Sequence, residues 1–286
     1  MPDRSSPTLG EVSFPSCDHC TTMGTREVRS VRAEILGCKI DRLNYDQALA
    51  VCSAVIRSRG FAQHMSINVA KLVAMRSNDE LRENIERCEL VTADGQPVVW
   101  ASHLLRDPLP ERVAGIDLMN GLLAQAPTMG HRIYILGATK EALETAVARI
   151  RERHPGISIV GYRDGYYDAA DEDAVAASIG AARPDILFVA MSSPRKEYFL
   201  ARHGGTMRVP FIMGVGGAID VVAGLTRRAP VVLQGMGLEW LFRLAQEPRR
   251  LGRRYFLTNA RFLLLLSREV VKRRASGKRF GLPPSR

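Results

Sequence analysis

Apolar and polar residues alternate in blocks that predict a series of strands and helices. Continuous apolar runs bounded by polar or glycine-rich turns are typical of buried parallel strands, and apolar residues at three- and four-residue spacings are typical of helices. The predicted strands are 61–67, 90–94, 132–136, 157–160, 186–190 and 211–215. The predicted helices are 45–59, 68–75, 79–88, 116–126 and a segment that ends at 153. This order predicts an α/β fold with a Rossmann-like, doubly wound, mostly parallel sheet.

The C-terminal segment has a different pattern. From residue 230 on, leucines and aromatic residues recur at helical spacings with arginines between them, and residues 243–286 hold thirteen Lys or Arg against two acids. Such helices suit an anionic membrane surface, because apolar burial and charge attraction act together. We interpret 236–286 as an amphipathic, basic, membrane-associating helical appendage. The alternative is a pair of helices that pack on the domain and expose a solvated basic face.

The remaining chain divides into an extension and a catalytic domain. Residues 1–30 contain acids and no sustained apolar run, so we expect a disordered extension rather than a signal peptide, and an α/β domain over 31–235. No eighteen apolar residues run together, so no transmembrane helix is predicted. Five cysteines without framework spacing favour reduced thiols in a cytoplasmic protein. Cys17 and Cys20 have the spacing of half a zinc site, but no second pair follows, so no metal is expected.

Two polar turns carry the candidate chemistry. Asp94 ends an apolar strand and precedes a glycine that opens a helix, which puts its carboxylate at the carboxyl edge of the sheet, where open α/β folds bind ligands. Arg112 follows eighteen residues later in a second turn. A carboxylate beside a guanidinium suits the removal of a proton while a phosphate departs. The alternative is that Asp94 caps the helix and Arg112 is a surface charge.

Six sequence blocks together resemble one known family. In chain order they are 92–95, 111–118, 193–197, 214–220, 228–230 and 237–250. Over about residues 35–270 the chain resembles the WecG/TagA/CpsF glycosyltransferase family. The resemblance implies transfer of a sugar from a UDP-sugar to a polyprenyl-diphosphate-linked sugar, with inversion, without a metal or other cofactor, at the cytoplasmic face of the membrane.

The resemblance assigns roles to the residues nearest the reaction. Asp94 would be the catalytic base, and Arg112 would face the diphosphate in the place of a metal. Ser66 and Asn68 fall where the family carries Thr-x-Asn, so the Ser66 hydroxyl would bond substrate near the reacting centre. Lys196 departs from the family, which commonly has Gln there, and adds a charge that attracts phosphate or carboxylate.

Further candidate residues would bind the donor and the acceptor. Backbone amides at Gly216 and Gly217 would approach phosphate or ribose. The resemblance suggests that Asp220 accepts from a ribose hydroxyl and that Tyr166 lines the uracil pocket. The other expected substrate-binding residues are Gly115 and Asp117, in the block of Arg112, and the appendage arginines Arg243, Arg250 and Arg253. Spacings of seven and three would put these arginines on one helical face, facing the lipid diphosphate.

The expected enzyme transfers a hexose or N-acetylhexosamine-type sugar in the synthesis of a surface polysaccharide of the exopolysaccharide, teichoic acid or enterobacterial-common-antigen type. It would be peripheral on the inner face of the plasma membrane. N-Acetylmannosamine, its uronic acid, glucose and other hexoses remain open as donors, and a homo-oligomer remains one option. The alternatives are a nucleotide-dependent Rossmann oxidoreductase and a basic nucleic-acid-binding protein. Against them, the chain lacks G-x-G-x-x-G after a strand, and its C-terminal aromatics share a face with leucines, so no nucleic acid is expected.

Overall fold

The described structure begins with a short hairpin that the sequence pattern did not predict. A computed structural model describes residues 31–246 and 248–275 of the protein. Strands β1 (Arg32–Ile35) and β2 (Cys38–Asp41) pair in antiparallel fashion. Four residues are too few for an alternating pattern to stand out.

A six-stranded parallel sheet follows within the described residues. Its strands are β3 (Ala62–Ile67), β4 (Leu90–Ala93), β5 (Arg132–Gly137), β6 (Ser158–Arg163), β7 (Ile186–Ala190) and β8 (Phe211–Gly214). Their order across the sheet is β4-β3-β8-β7-β5-β6, and every neighbouring pair is parallel. The predicted Rossmann-like fold is confirmed. The expected extension 1–30, with Cys17 and Cys20, lies outside the described residues.

Helices cover both faces of this sheet. In β5, Ile133 and Ile135 join the apolar layer of one face, whereas Tyr134 and Leu136 join that of the other, because successive side chains of a strand alternate. The helices of this domain are α1 (Tyr45–Ser58), α2 (Val69–Ala74), α3 (Asp79–Glu86), α4 (Gln96–Leu104), α5 (Gly115–Met129), α6 (Lys140–Arg153), α7 (Glu172–Ala182), α8 (Arg195–His203) and α9 (Ala218–Val222). The hairpin, α2, α3 and α4 cover β3 and β4 on one face.

The C-terminal segment is helical, as predicted. It forms α10 (Val231–Gly235), α11 (Glu239–Gln246) and α12 (Pro248–Ala275). Phe262 and Leu266 of α12 are buried in the apolar layer of the hairpin, α2 and α4. This face of α12 therefore packs on the domain, as in the alternative interpretation of the C-terminal segment. None of the described helices combines the length and the apolar character needed to cross a bilayer.

Another face of α12 remains apolar and exposed. Phe256 is 75% exposed and Leu263, seven residues on, is also exposed. The exposed apolar stripe, as we call it, consists of Phe256, Leu257, Leu263, Leu264 and Val271. Exposed basic residues of the same helix are Arg249, Arg253, Arg261, Arg268, Lys272 and Arg274. The exposed side of α12 therefore carries apolar and basic side chains together, in addition to the packed face of the helix.

Candidate active site

The carboxyl ends of the strands bring the predicted residues to one edge of the sheet. Ser66 lies at the end of β3, Asp94 directly follows β4, and Lys196 lies in the first turn of α8, the helix that follows β7. The Asp94 N–H donates to the carbonyl of Ile67 at 2.8 Å, so the backbone of Asp94 is held beside the end of β3. The edge expected for ligand binding is therefore the edge where these side chains meet.

The alternative roles considered for the two residues, a helix cap for Asp94 and a surface charge for Arg112, do not match the structure. Helix α4 begins with Gly95 at its cap position, and no side chain caps it. The Val113 N–H donates to the Ala93 carbonyl at 2.9 Å, which ties the turn of Arg112 to the end of β4. The Arg112 side chain is only 16% exposed, so it is not a surface charge.

Burial and nearby charges set the protonation of Asp94. Burial raises the pKa of its carboxyl group. Arg112 lowers this pKa, Glu239 raises it, and Arg243 and Lys71 lower it. A carboxylate with a raised pKa is a stronger base, and the cations around it favour its ionised form.

Several charged side chains from distant parts of the chain surround one glutamate. Arg112 Nη1 donates to Glu239 Oε2 at 2.8 Å, Arg243 lies 3.5 Å from Glu239 Oε1, and Arg228 Nε lies 4.0 Å from the same oxygen. Arg228 also donates two hydrogen bonds to Asp117, at 2.5 and 2.7 Å. We call these five residues the outer cluster. It joins α11 to the turns that carry the candidate site.

A glycine allows the C-terminal segment to approach the site closely. Gly237 has a φ of 71°, a left-handed conformation that favours glycine. A Cβ atom there would lie 2.6 Å from Gln96 Cγ and 3.2 Å from Trp100 Cζ2, both in α4. Because Gly237 lacks this atom, the segment leading to α11 can lie against the helix that follows Asp94.

A second group of charges is buried under the same edge. Lys71 Nζ lies 3.3 Å from Glu197 Oε1, and Lys196 Nζ lies 3.7 Å from that oxygen. We call Lys71, Glu197 and Lys196 the inner cluster. Lys196 is 4% exposed and Glu197 is 0% exposed. Lys196 is thus within the site region, but most of its side chain is covered by protein.

Ser66, Asn68 and Gly115 are neighbours at the ends of β3 and β4. A Cβ atom on Gly115 would lie 3.3 Å from Ser66 Oγ, so the start of α5 passes beside this hydroxyl. The Asn68 Oδ1 accepts the Lys71 backbone N–H at 3.0 Å and caps α2. Asn68 therefore has a structural role in addition to the predicted one.

The predicted nucleoside-binding residues lie on loops at the same edge. Tyr166 is 76% exposed and follows β6, in a loop held by Arg195, which donates to the carbonyls of Gly165 and Tyr167 at 2.8 and 3.1 Å. Gly216 and Gly217 follow β8, and Asp220 lies in α9, which begins immediately afterwards.

The appendage arginines do not share one continuous helix. Arg243 belongs to α11 and contacts Glu239, whereas Arg253 belongs to α12 and is exposed. The prediction of one helical face is wrong, because a new helix begins at Pro248, a residue that lacks a backbone N–H and suits a first helical position. Arg250 lies in α12, but its side chain is outside the described part of the structure.

A cleft of about 800 Å³ lies at the opposite edge of the sheet. Its lining includes Arg59, at the end of α1, and Arg183 and Arg208, which precede β7 and β8. It therefore lies at the amino ends of the strands, away from Asp94. Ligand sites of open α/β sheets lie at the carboxyl ends, so we do not assign the reaction to this cleft.

Comparison with known proteins decides the family. Residues 33–276 match the family described as "Glycosyl transferase WecG/TagA/CpsF family". The chain belongs to this family. The match includes all six sequence blocks, and it confirms the resemblance and the assignment to the glycosyltransferases.

Curated relatives of the chain are also named as glycosyltransferases. Proteins from Staphylococcus aureus strains MW2, NCTC 8325 / PS 47 and COL carry the name N-acetylglucosaminyldiphosphoundecaprenol N-acetyl-beta-D-mannosaminyltransferase. Each is 37% identical to this chain over 171 residues, which cover 60% of the chain and 66% of the relative. The match thus spans just under two thirds of the relatives' length.

Four charged residues at the site were not among the predicted site residues: Lys71, Glu197, Arg228 and Glu239. The last three stand inside the sequence blocks of the WecG/TagA/CpsF resemblance, so they could have been singled out. Lys71 lies between the apolar residues Val69 and Leu72 of α2. Its place in this apolar helix was the one feature of the sequence that indicated its burial.

Proposed function

We propose that this protein is an inverting glycosyltransferase that uses a UDP-sugar and a polyprenyl-diphosphate-linked sugar acceptor. The observation that carries the proposal is the half-buried carboxylate of Asp94, with its raised pKa, beside Arg112 at the carboxyl edge of the sheet. The names of the relatives favour a hexose or N-acetylhexosamine-type donor sugar, such as N-acetylmannosamine, and a lipid-diphosphate acceptor.

In the proposed reaction Asp94 acts as the general base. It accepts the proton of the acceptor hydroxyl while the hydroxyl oxygen forms a bond to the anomeric carbon. The bond between that carbon and the diphosphate oxygen breaks, and UDP leaves with the electron pair. Arg112 and Arg243 stabilise the negative charge that develops on the diphosphate. In this mechanism, guanidinium groups supply the charge that a metal supplies in other transferases.

The loops at the same edge would bind the rest of the donor. The Ser66 hydroxyl, beside Gly115, is suited to bond the sugar near the reacting centre. Backbone amides after β8, at Gly216 and Gly217, would meet the phosphates or the ribose. Asp220 would accept from a ribose hydroxyl, and Tyr166 would stack on or beside the uracil.

The C-terminal appendage would hold the enzyme on the membrane that contains its acceptor. The exposed apolar stripe of α12 would enter the interface, while the exposed arginines and lysines attract anionic headgroups. Because α11 also contributes Glu239 and Arg243 to the outer cluster, membrane binding and site assembly would involve the same segment.

The test of this function is sugar transfer by the purified protein to a synthetic lipid-diphosphate acceptor, with a panel of UDP-sugars. We expect one UDP-sugar to be consumed with formation of a β-linked or otherwise inverted product and of UDP. Failure of every UDP-sugar, with transfer from another class of donor, would contradict the proposal.

Asp94→Asn is the matching active-site variant. We expect kcat to fall by ~10²- to 10⁴-fold, the typical contribution of a general base, with UDP affinity unchanged. Because burial of the Asp94 carboxylate raises its pKa, its ionised form is costly in the folded state, and the amide should not lower Tm. Full activity of Asp94→Asn would reject Asp94 as the base.

A further inference from the structure

The proposed reaction leaves the three buried charged residues of the inner cluster without a role. Lys71 is 8% exposed and Glu197 is 0% exposed. Lys71 Nζ donates to the Ser66 carbonyl at 2.8 Å and lies 3.3 Å from Glu197 Oε1. Burial of charges is costly unless they are paired, so this arrangement requires a compensating benefit or a complete set of partners.

The inner cluster joins the two loops on either side of β8. Lys71 lies in α2, which follows β3, whereas Glu197 and Lys196 lie in the first turn of α8, which follows β7. In the sheet β8 lies between β3 and β7. The ion pair between Lys71 and Glu197 therefore bridges the ends of three adjacent strands.

Gly214 at the end of β8 leaves room for the Lys196 side chain. A Cβ atom on Gly214 would lie 2.8 Å from Lys196 Cε, 2.9 Å from Cδ and 3.2 Å from Nζ. The aliphatic part of Lys196 thus crosses the end of β8, and its ammonium ends beside Glu197 Oε1 at 3.7 Å. Three neighbours, Gly214, Glu197 and Lys71, define the position of this ammonium.

The inner cluster holds one more positive charge than negative charge. Two lysines share the carboxylate of Glu197, which leaves one positive charge in excess inside the cluster. Asp94 is a further negative charge at this edge: it favours the protonated form of Lys196, and Lys71 favours the ionised form of Asp94. His64, which is also buried here, adds no charge at neutral pH, because burial lowers its pKa to about 3.

The surroundings make Lys196 sensitive to moderately alkaline pH. Burial lowers the pKa of Lys196 to about 8, and Lys71 lowers it as well, whereas Glu197 and Asp94 raise it. A group with this pKa is protonated below about pH 8 and loses its charge as the pH rises through that value. Besides Lys71 and Lys196, the charged groups that interact electrostatically with Asp94 are Arg112, Arg228, Glu239 and Arg243.

We propose that Lys71 and Glu197 are positioning residues that hold the Lys196 ammonium as a fixed counter-charge to Asp94, and that turnover requires this ammonium. The link to turnover rests on the proposed function. The placement and titration of Lys196 are properties of the protein alone, so they are measured without any sugar substrate.

The first experiment is an NMR titration of protein labelled with 15N-lysine and 13C-lysine, with the Lys196 signal assigned by Lys196→Gln. We expect a midpoint near 8 in the wild-type protein. Lys71→Met should move the midpoint of Lys196 upward, because the variant removes a neighbouring positive charge. The remaining pair of Glu197 and Lys196 then has no net charge. Glu197→Gln should move the midpoint downward, because the neutralising carboxylate is lost.

Two variants serve as controls for this titration. Lys71→Arg keeps the charge and should leave the midpoint within a few tenths of a unit. Lys39→Met removes an exposed lysine of the hairpin and should leave the midpoint of Lys196 unchanged. If Glu197→Gln does not fold, the difference in the Lys196 midpoint between Lys71→Met and Lys71→Arg still tests the proposal. A wild-type midpoint near that of an ordinary lysine, or no shift in Lys71→Met, would overturn the proposal.

The second experiment is the pH profile of kcat in the transfer assay. Wild-type activity should fall above about pH 8, and Lys71→Met should move this alkaline limb upward. Lys196→Gln, which has no ammonium at any pH, should lower kcat across the whole pH range, and wild-type activity in this variant would overturn the requirement. UDP affinity at pH 7 should be the same in wild type and Lys71→Met. If the NMR shifts occur and the limb does not follow them, the requirement for turnover is rejected. Failure of all transfer would reject the proposed function, while the titration still decides the placement of Lys196.

Discussion

Two charged clusters face Asp94, and they are built in different ways. The inner cluster comes from α2 and α8 of the catalytic domain, and its side chains are at most 9% exposed. The outer cluster combines Arg112, Asp117 and Arg228 with Glu239 and Arg243 of α11, and its side chains are 15–43% exposed. The inner charges are therefore fixed when the sheet folds, whereas the outer ones depend on the docking of the C-terminal segment.

This difference predicts how each cluster responds to a ligand. Partly exposed ion pairs contribute little to stability, so the outer arginines can exchange Glu239 for a diphosphate at low cost. Buried pairs are different, because removing one partner leaves an uncompensated charge. We therefore expect the outer cluster to bind the donor and the inner cluster to control the protonation of the site.

The strongest test of this division is Arg112→Met. The variant removes the guanidinium expected to face the diphosphate, and a hydrogen bond to a charged group contributes about 1.5–3 kcal/mol. We expect UDP to bind roughly 10- to 100-fold more weakly, as measured by calorimetry. Arg59→Met, at the opposite edge of the sheet and 69% exposed, is the matched control and should bind UDP normally. Equal affinities in the two variants would remove Arg112 from the donor site.

The proposed membrane role of the C-terminal segment can be tested on the exposed apolar stripe. Phe256→Ser together with Leu263→Ser removes two exposed side chains and leaves the packed residues Phe262 and Leu266 intact. Full burial of such a side chain is worth about 1.5–3 kcal/mol, so partial insertion should give a 10- to 100-fold loss of partitioning.

Flotation with phosphatidylglycerol vesicles measures this loss, and added salt should weaken the wild-type interaction further. Phe61→Ser removes an exposed aromatic residue from the catalytic domain and is the control. UDP affinity without vesicles should be unchanged in the double variant and in Phe61→Ser, since these serine substitutions alter neither cluster. Unchanged flotation of the double variant would refute the assignment of this stripe to the membrane.

The sequence predicted the sheet well because its strands are buried on both faces and appear as continuous apolar runs. The hairpin was missed because its two strands have four residues each. The split between α11 and α12 was also missed, because helical spacing continues across Pro248 and only the proline indicates a new start.

The position of the candidate site was predictable where it depends on strand ends and less so where it depends on tertiary contacts. Asp94 and Arg112 follow from the rule that parallel strands present ligand sites at their carboxyl ends. The partnership of Arg112 with Glu239 joins residues 127 positions apart, which no local pattern reveals. Lys71 and Glu197 are charged residues on short helices, and such residues are usually solvated, so their burial was not expected.

The smallest predicted effect is also the most specific comparison of the two clusters. Glu239 raises the pKa of Asp94, whereas Lys71 lowers it. Because Asp94 must be ionised to act as base, activity is lost as the pH falls through its pKa. Glu239→Gln should therefore move the acid limb of the kcat profile to lower pH, and Lys71→Met should move it to higher pH, each by about one unit or less.

Salt and a control variant separate this effect from a general loss of structure. The outer cluster is more exposed, so 0.5 M salt should reduce the shift of Glu239→Gln more than that of Lys71→Met. Glu269→Gln, which removes one of the partners of Arg273 on α12, should leave the acid limb in place. Shifts of the same sign in Glu239→Gln and Lys71→Met would mean that the two clusters do not act on Asp94 as opposing charges. Opposite shifts with different salt dependence are expected only if both clusters act on this one carboxylate.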